Sequence, residues 1–194
     1  MDDSKPFEGK IIFFTAPSGS GKTTIVRRLL EQNENMSFSI SATTRKPRGK
    51  EVDGVDYHFL TPKDFLQKVA QTKFAEYEEV YKGLFYGTLK AEIDKIWAMK
   101  KHVLIDIDVK GGLRLKKRFP TESLGVFIKL KHLDILETRL HTRNTESPEQ
   151  IRKRLDRAAY ELTFSNQFDK ELVNDDLDEA VTEAQKLVDE FVEK

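Results

Sequence analysis

Apolar residues are grouped in two ways along the chain. Short unbroken runs, Ile11-Ile12-Phe13-Phe14, Val103-Leu104-Ile105-Asp106-Ile107 and Val126-Phe127-Ile128-Lys129-Leu130, suit strands covered on both faces, as in a parallel sheet. Each is followed by helical spacing. The first such stretch runs from Thr23 to about Gln32 and puts Ile25, Val26, Leu29 and Leu30 on one stripe; the others run from about Val109 to Arg118 and from His132 to Leu140. A weaker strand, Leu172-Val173-Asn174, precedes a C-terminal helix with Leu177, Val181, Ala184, Val188 and Phe191 near one face. Strands alternating with helices predict an α/β fold built on a parallel sheet.

The middle is patterned differently. Between Ser37 and Thr88 polar and apolar residues alternate, as in Asp56-Tyr57-His58-Phe59-Leu60 and Phe74-Ala75-Glu76-Tyr77. Short strands with one helix, about Lys63 to Ala70, predict a small, partly antiparallel lobe inserted in the α/β core. A helix from about Thr88 to Lys100 places Trp97 on its apolar stripe, hence in the core. With no repeat and no Pro/Gly/Ser-rich linker, the expected organisation is one domain with an insertion.

Composition narrows the class. The 194 residues hold 33 Lys+Arg against 33 Asp+Glu, a net charge of zero that argues against an undifferentiated nucleic-acid binder. With no cysteine there is no disulfide, thiolate metal site or thiol nucleophile. Met1 to Pro6 does not read as a signal segment, and no apolar stretch approaches the ~18–20 residues that span a bilayer. A soluble cytoplasmic protein with no membrane partner is expected. The neutral total conceals segregation: Asp169 to Lys194 holds ten acids and three lysines, and the balancing excess concentrates in Arg45–Lys50 and Arg139–Arg157.

Chemistry enters at Ala16-Pro17-Ser18-Gly19-Ser20-Gly21-Lys22-Thr23-Thr24. Except for Ala16 at its first glycine, this is the phosphate-loop pattern G-x-x-x-x-G-K-[ST], in its required place between strand and helix. Gly19 and Gly21 let backbone N–H groups converge on phosphate oxygens. Lys22 brings charge to the β- and γ-phosphates, Thr23 offers a hydroxyl to Mg²⁺, and the helix start faces the anion. Binding of a nucleoside triphosphate follows.

A second set of motifs comprises Ser41-Ala42-Thr43-Thr44-Arg45-Lys46-Pro47-Arg48, Glu51-Val52-Asp53-Gly54-Val55-Asp56-Tyr57-His58-Phe59, Phe85-Tyr86-Gly87-Thr88, Asp106-Ile107-Asp108 and Val173-Asn174-Asp175-Asp176. In order and spacing, from about Ile11 to the C-terminal helix, these blocks closely resemble the guanylate kinase family. Two arginines three apart, Arg45 and Arg48, can grip a phosphate dianion through their forks, and Tyr57 and Tyr86 can add O–H donors. A solvated basic turn is the alternative for the run alone. The resemblance implies that these four hold the 5′-phosphate of GMP. It also implies Glu76 as the carboxylate facing guanine N1–H and N2–H₂, Ser41 and Thr88 as hydroxyls, and Asp108 on the base. Two departures stand out: Tyr77 occupies a place where the family often has Trp, and Glu78 to Gly83 is one residue longer than usual.

Asp106 and Asp108 share a face at the end of a buried strand, where parallel-sheet proteins bind ligands. Asp106 is expected in the shell of Mg²⁺ with Thr23, partly through water; capping the next helix is its alternative role. Arg139, Arg143, Arg152, Lys153, Arg154 and Arg157 flank a polar stretch, His141 to Pro148, that reads as a loop between helices. The resemblance implies that Lys22, Arg45, Arg139, Arg143 and Arg154 stabilise the transferring phosphoryl group, and that Asn174 lies near the donor adenine. Asn144 stands where the family usually has Gly. A solvated basic helix face is the alternative for Arg152 and Lys153.

The resemblance thus implies a P-loop kinase fold. Its core covers about residues 8–36, 89–138 and 167–194, with a GMP-binding lobe at about 37–88 and a lid at about 139–166. The implied activity is ATP-dependent phosphorylation of GMP to GDP with Mg²⁺, by a monomer or small homo-oligomer. dGMP stays open as a second acceptor. A kinase-dead interaction module and a related kinase for another phosphorylated acceptor are the alternatives.

Overall fold

The computed structural model describes residues 7–17, 19–142 and 148–193. A five-stranded sheet forms the centre, in the order β2 (Met36–Phe38), β7 (His102–Asp106), β1 (Ile11–Thr15), β8 (Ser123–Lys129), β9 (Lys170–Val173). Every pairing within it is parallel. The unbroken apolar runs are accounted for by cover on both faces. Ile12 and Phe14 of β1 pack with α1 (Lys22–Gln32) and α7 (Leu177–Val192), whereas Ile11 and Phe13 pack on the opposite face with α3 (Lys90–Ala98), α4 (Val109–Arg118) and Phe168. Gly125 of β8 is required there, because a Cβ would lie 2.5 Å from the Phe13 ring.

The second sheet is mixed, in the order β4 (His58–Phe59), β3 (Ala42–Thr43), β6 (Leu84–Leu89), β5 (Phe74–Tyr81). It packs Ala42, Phe74 and Phe85 around Phe65 of α2 (Pro62–Ala70). Its β5–β6 hairpin carries two irregularities, at Ala75 and at Val80, where two residues of β5 oppose one of β6. The second lies inside Glu78 to Gly83, the stretch expected to be one residue longer than usual. From α4, Arg118 approaches the carbonyls of Phe74 and Ala75, and Arg114 meets the Tyr77 carbonyl and Glu78. The lobe is thereby tied to the core along β5.

Several boundaries differ from expectation. Thr88 and Leu89 belong to β6, and α3 starts at Lys90, because Thr88 is paired opposite Glu76 and donates to its carboxylate. The expected His141–Pro148 loop is shortened from both sides. α5 (Leu133–Thr142) runs through Thr142 and α6 (Pro148–Leu162) begins at its proline, a favoured first helical residue. The last strand starts earlier, at Lys170, and Asn174 follows its end. Trp97 is half-buried against the Phe13 face, and Gly9 leaves room for its indole.

Candidate active site

β1 and β7 run side by side, with Phe14 opposite Asp106, and the chain leaves each into a helix. After β1, Gly19 and Gly21 take φ of +99° and +89°, values open to glycine and strained for other residues. Gly21 is the N-cap of α1. No side chain caps this helix and no acid stands in its first turn, so its leading N–H groups are left for an external anion. Ala16, in place of the first glycine, is buried in the core and is not among the residues with positive φ, so its methyl group costs nothing. Lys22 Nζ contacts Asp106 Oδ1 and donates to the Ile107 carbonyl at 2.9 Å. Thr23 Oγ1 lies 3.1 Å from Asp106 Oδ2. One carboxylate thus holds both the cation and the hydroxyl of the loop.

After β7 the helix start is occupied from within. Asp108 caps α4, its Oδ1 accepting from the Gly111 amide at 2.9 Å. The cap is therefore Asp108 and not Asp106. Gly111 also matters for what lies opposite: a Cβ there would sit 2.7 Å from Glu76 Oε2. Glu76 is 6% exposed, and its Oε1 accepts from the Thr88 amide at 2.9 Å and the Thr88 hydroxyl at 2.8 Å. Burial pushes its carboxyl up to about 7; the Thr88 bonds pull it down and the nearby Asp108 charge pushes it further up.

These groups surround a cleft of about 590 Å³. The phosphate loop contributes Ala16, Pro17, Gly19, Gly21, Lys22, Thr23 and Thr24, and the β7 end contributes Asp106, Ile107 and Asp108. Ser41, Arg48, Tyr57, Glu76, Val80, Tyr86 and Gly87 come from the lobe, and Arg157 and Glu161 from α6. Four expected residues lie behind this wall. Ser20 is buried, and Asn174, also buried, donates from Nδ2 to the Ser20 carbonyl at 2.6 Å, bracing the loop from the end of β9. Thr88 stands behind Glu76. Arg45 engages Glu51 through both terminal nitrogens, at 2.5 and 2.7 Å, and lies over the Tyr57 ring at 4.7 Å. Glu51 also accepts from the Arg48 amide at 2.7 Å. Its carboxyl is held down to about 2 by the Arg45 bonds and then by the Arg48 amide. Arg154 is half-buried on α6 and does not line the cleft. Ser18, Arg143, Asn144 and the Arg139 side chain lie outside the described residues.

The guanylate kinase family profile matches residues 8–191. The chain belongs to the guanylate kinase family. A curated guanylate kinase from Bacteroides fragilis is 49% identical over 97% of this chain and 92% of its own length. One from Salinibacter ruber is 47% identical over 94% and 96%. Among solved structures, guanylate kinase from Anaplasma phagocytophilum superposes with a TM-score of 0.77 at 26% identity, covering 96% of this chain and 87% of that one. A shikimate kinase from Bacteroides thetaiotaomicron, with a TM-score of 0.52 at 15% identity, shares the fold.

In this guanylate kinase family member, sequence reasoning missed Glu51 as the partner of Arg45, and Val80, Arg157 and Glu161 as cleft residues. Two signals were present. Arg157 and Glu161 are four apart, the spacing of a helical ion pair, and they bond at 2.8 Å. Glu161 also falls on the apolar stripe of Ile151, Leu155 and Ala158, where an acid implies a buried partner. Arg152 and Lys153 are exposed, Lys153 pairing with Glu149 at 2.8 Å.

Thr23 and Asp106 present the hard oxygens that Mg²⁺ takes, beside the loop where phosphates would supply the rest. Among the described residues no group of three or more His, Asp or Glu forms a protein cage. That suits an ion held by one or two side chains plus nucleotide phosphates. Among the described residues no helix is long and apolar enough to cross a membrane.

Proposed function

We propose that the chain transfers the γ-phosphoryl group of ATP to GMP, giving ADP and GDP by direct in-line displacement. One observation carries the acceptor assignment. Glu76 faces the cleft of the phosphate loop with Oε1 engaged by Thr88, while Gly111 keeps space at Oε2. A carboxylate in that setting matches the adjacent N1–H and N2–H₂ donors of guanine. Adenine offers an acceptor at N1 on that edge and leaves the buried carboxylate unpaired, a mismatch of the kind that discriminates by ~10⁴.

Arg48, Tyr57 and Tyr86 line the cleft where the 5′-phosphate would sit, and Arg45 joins them by releasing Glu51. Ser41 and Asp108 complete the base site, with Thr88 holding Glu76. At the donor end the α1 amides and Lys22 take the β- and γ-phosphates, Lys22 leaving Asp106 as it does so. Thr23 and Asp106 would hold Mg²⁺, which neutralises phosphate charge when bound. Arg139, Arg143 and Arg154 are the arginines proposed to meet the transferring group. The acceptor already carries a nucleophilic phosphate oxygen, so no general base is required. Catalysis then consists of positioning and charge stabilisation.

The reading includes movement of the lobe (about 37–88) and lid (about 139–166) over the core to exclude water. It also places the enzyme in the cytoplasm, a setting that the cysteine-free composition suits. The intact Lys22–Thr23–Asp106 set favours a working kinase over an interaction module. A coupled ADP-release assay with GMP, AMP, CMP, UMP and dTMP tests the proposal. Turnover confined largely to GMP is expected, and equal use of the five overturns it.

A further inference from the structure

One contact joins α6 to the tip of the lobe hairpin beside the cleft. Arg157 on α6 donates from Nη1 to the Tyr81 hydroxyl at 3.3 Å and from Nε to Glu161 at 2.8 Å. Glu161 is 9% exposed, so it anchors the arginine to its own helix, while Tyr81 is 63% exposed at the tip of the lobe hairpin. The contact lies next to the bulge at Val80. Glu79 pairs with Phe85 and Tyr81 with Leu84, leaving Val80 as the extra residue. With the bulge, Val80 lines the cleft and Tyr81 reaches α6.

Arg157 stands three residues after Arg154, one helical turn on the same side. We propose that Arg157, held by Glu161 and joined to Tyr81, is a positioning residue through which the acceptor lobe sets the place of Arg154. This rests on the reading of Arg154 as a phosphoryl-stabilising group. GMP bound in the lobe then steadies the hairpin, the hairpin steadies α6, and the arginine is placed when the acceptor is present. Water, which does not order the lobe, does not recruit it.

Tyr81→Phe removes only an exposed hydroxyl, and Arg157→Lys keeps the charge while losing the planar fork. Each should lower kcat for GMP phosphorylation roughly five- to tenfold, the worth of a hydrogen bond to a charged group in a half-exposed place. KM for ATP and the melting temperature should stay unchanged. The double variant should be no slower than Arg157→Lys alone, because both substitutions break one link. Acceptor-free ATP hydrolysis by Tyr81→Phe should not fall, a split that a general loss of packing would not produce. Arg154→Lys serves as the control for the underlying reading and should lose at least as much kcat. If Arg154→Lys is impaired while Tyr81→Phe matches the parent, or if the two link variants add, the positioning role is overturned. If Arg154→Lys itself retains full kcat, the reading of Arg154 fails instead.

Discussion

Two helix starts border the cleft, and they are built in opposite ways. α1 begins at a left-handed glycine with no side-chain cap and no acid in its first turn. α4 begins at Asp108, whose own carboxylate takes the Gly111 amide. Both follow neighbouring parallel strands of the same sheet, so the contrast is local and chemical. A helix start that satisfies its own amides has no need of an anion. One that leaves them open on a surface carrying Lys22 is completed by a phosphate. In the proposed reading the same fold element serves a donor site at one strand end and an acid-lined acceptor site at the next.

The largest effect should come from removing the charge at the open start. Lys22→Met is expected to lower kcat by roughly 10³-fold in a coupled ADP-release assay, on the scale of losing a charge-stabilising donor. An unchanged melting curve would locate the loss in the chemistry. At the closed start, Glu76→Gln should lower kcat/KM for GMP about 10²-fold or more, since an amide N–H₂ would meet the guanine donors. ATP affinity by calorimetry should be retained, and an equal loss of both would merge the two sites that the comparison separates.

Acid should discriminate between them without mutation. Burial raises the Glu76 carboxyl to about 7 against an ordinary 4.5. Guanine recognition needs the carboxylate, so KM for GMP should rise about tenfold per pH unit below 7. The stability linkage runs the other way. The folded chain holds a proton the unfolded chain has released, so stability from this group is fully present below about 4.5 and is lost as pH rises through about 7. Glu76→Gln should flatten both profiles. A smaller change makes α1 resemble α4. Thr24→Glu puts an acid in the first turn of α1, which should raise Kd for ATP roughly tenfold while stabilising the empty protein by about 0.5 kcal/mol. Smallest of all, Ala16→Gly should change kcat/KM less than about twofold and cost up to ~1 kcal/mol in stability, because the alanine already fits.

How far these sites could be read beforehand depended on whether the chemistry was local. The β1–loop–α1 unit was legible because glycines, lysine and helix follow one another in sequence. The parallel sheet was legible because strands covered on both faces leave unbroken apolar runs. Thr88 misled in part: as a helix start it reads well, but its partner, Glu76, lies twelve residues away on the adjacent strand. The ties from Arg114 and Arg118 to β5, and the Asn174 brace on the Ser20 carbonyl, join residues tens of positions apart or more. No period or motif marks such pairs. Glu51 was visible within its motif, yet only the folded turn shows its carboxylate set squarely against the Arg45 fork.

That pair changes what it means for a phosphate to reach Arg45. Two oxygens of Glu51 already occupy the Arg45 fork in the geometry a phosphate would use, with the Arg48 amide as a third donor. Under the proposed acceptor assignment, a nucleotide arriving at Arg45 trades one anion for another and does not meet a bare, hydrated cation. An exchange of this kind leaves the count of ion pairs unchanged, so added salt screens both sides of the equilibrium. The arginine that looks most electrostatic in the sequence would then contribute least to the ionic-strength dependence of binding, and selectivity between anions would be its main effect.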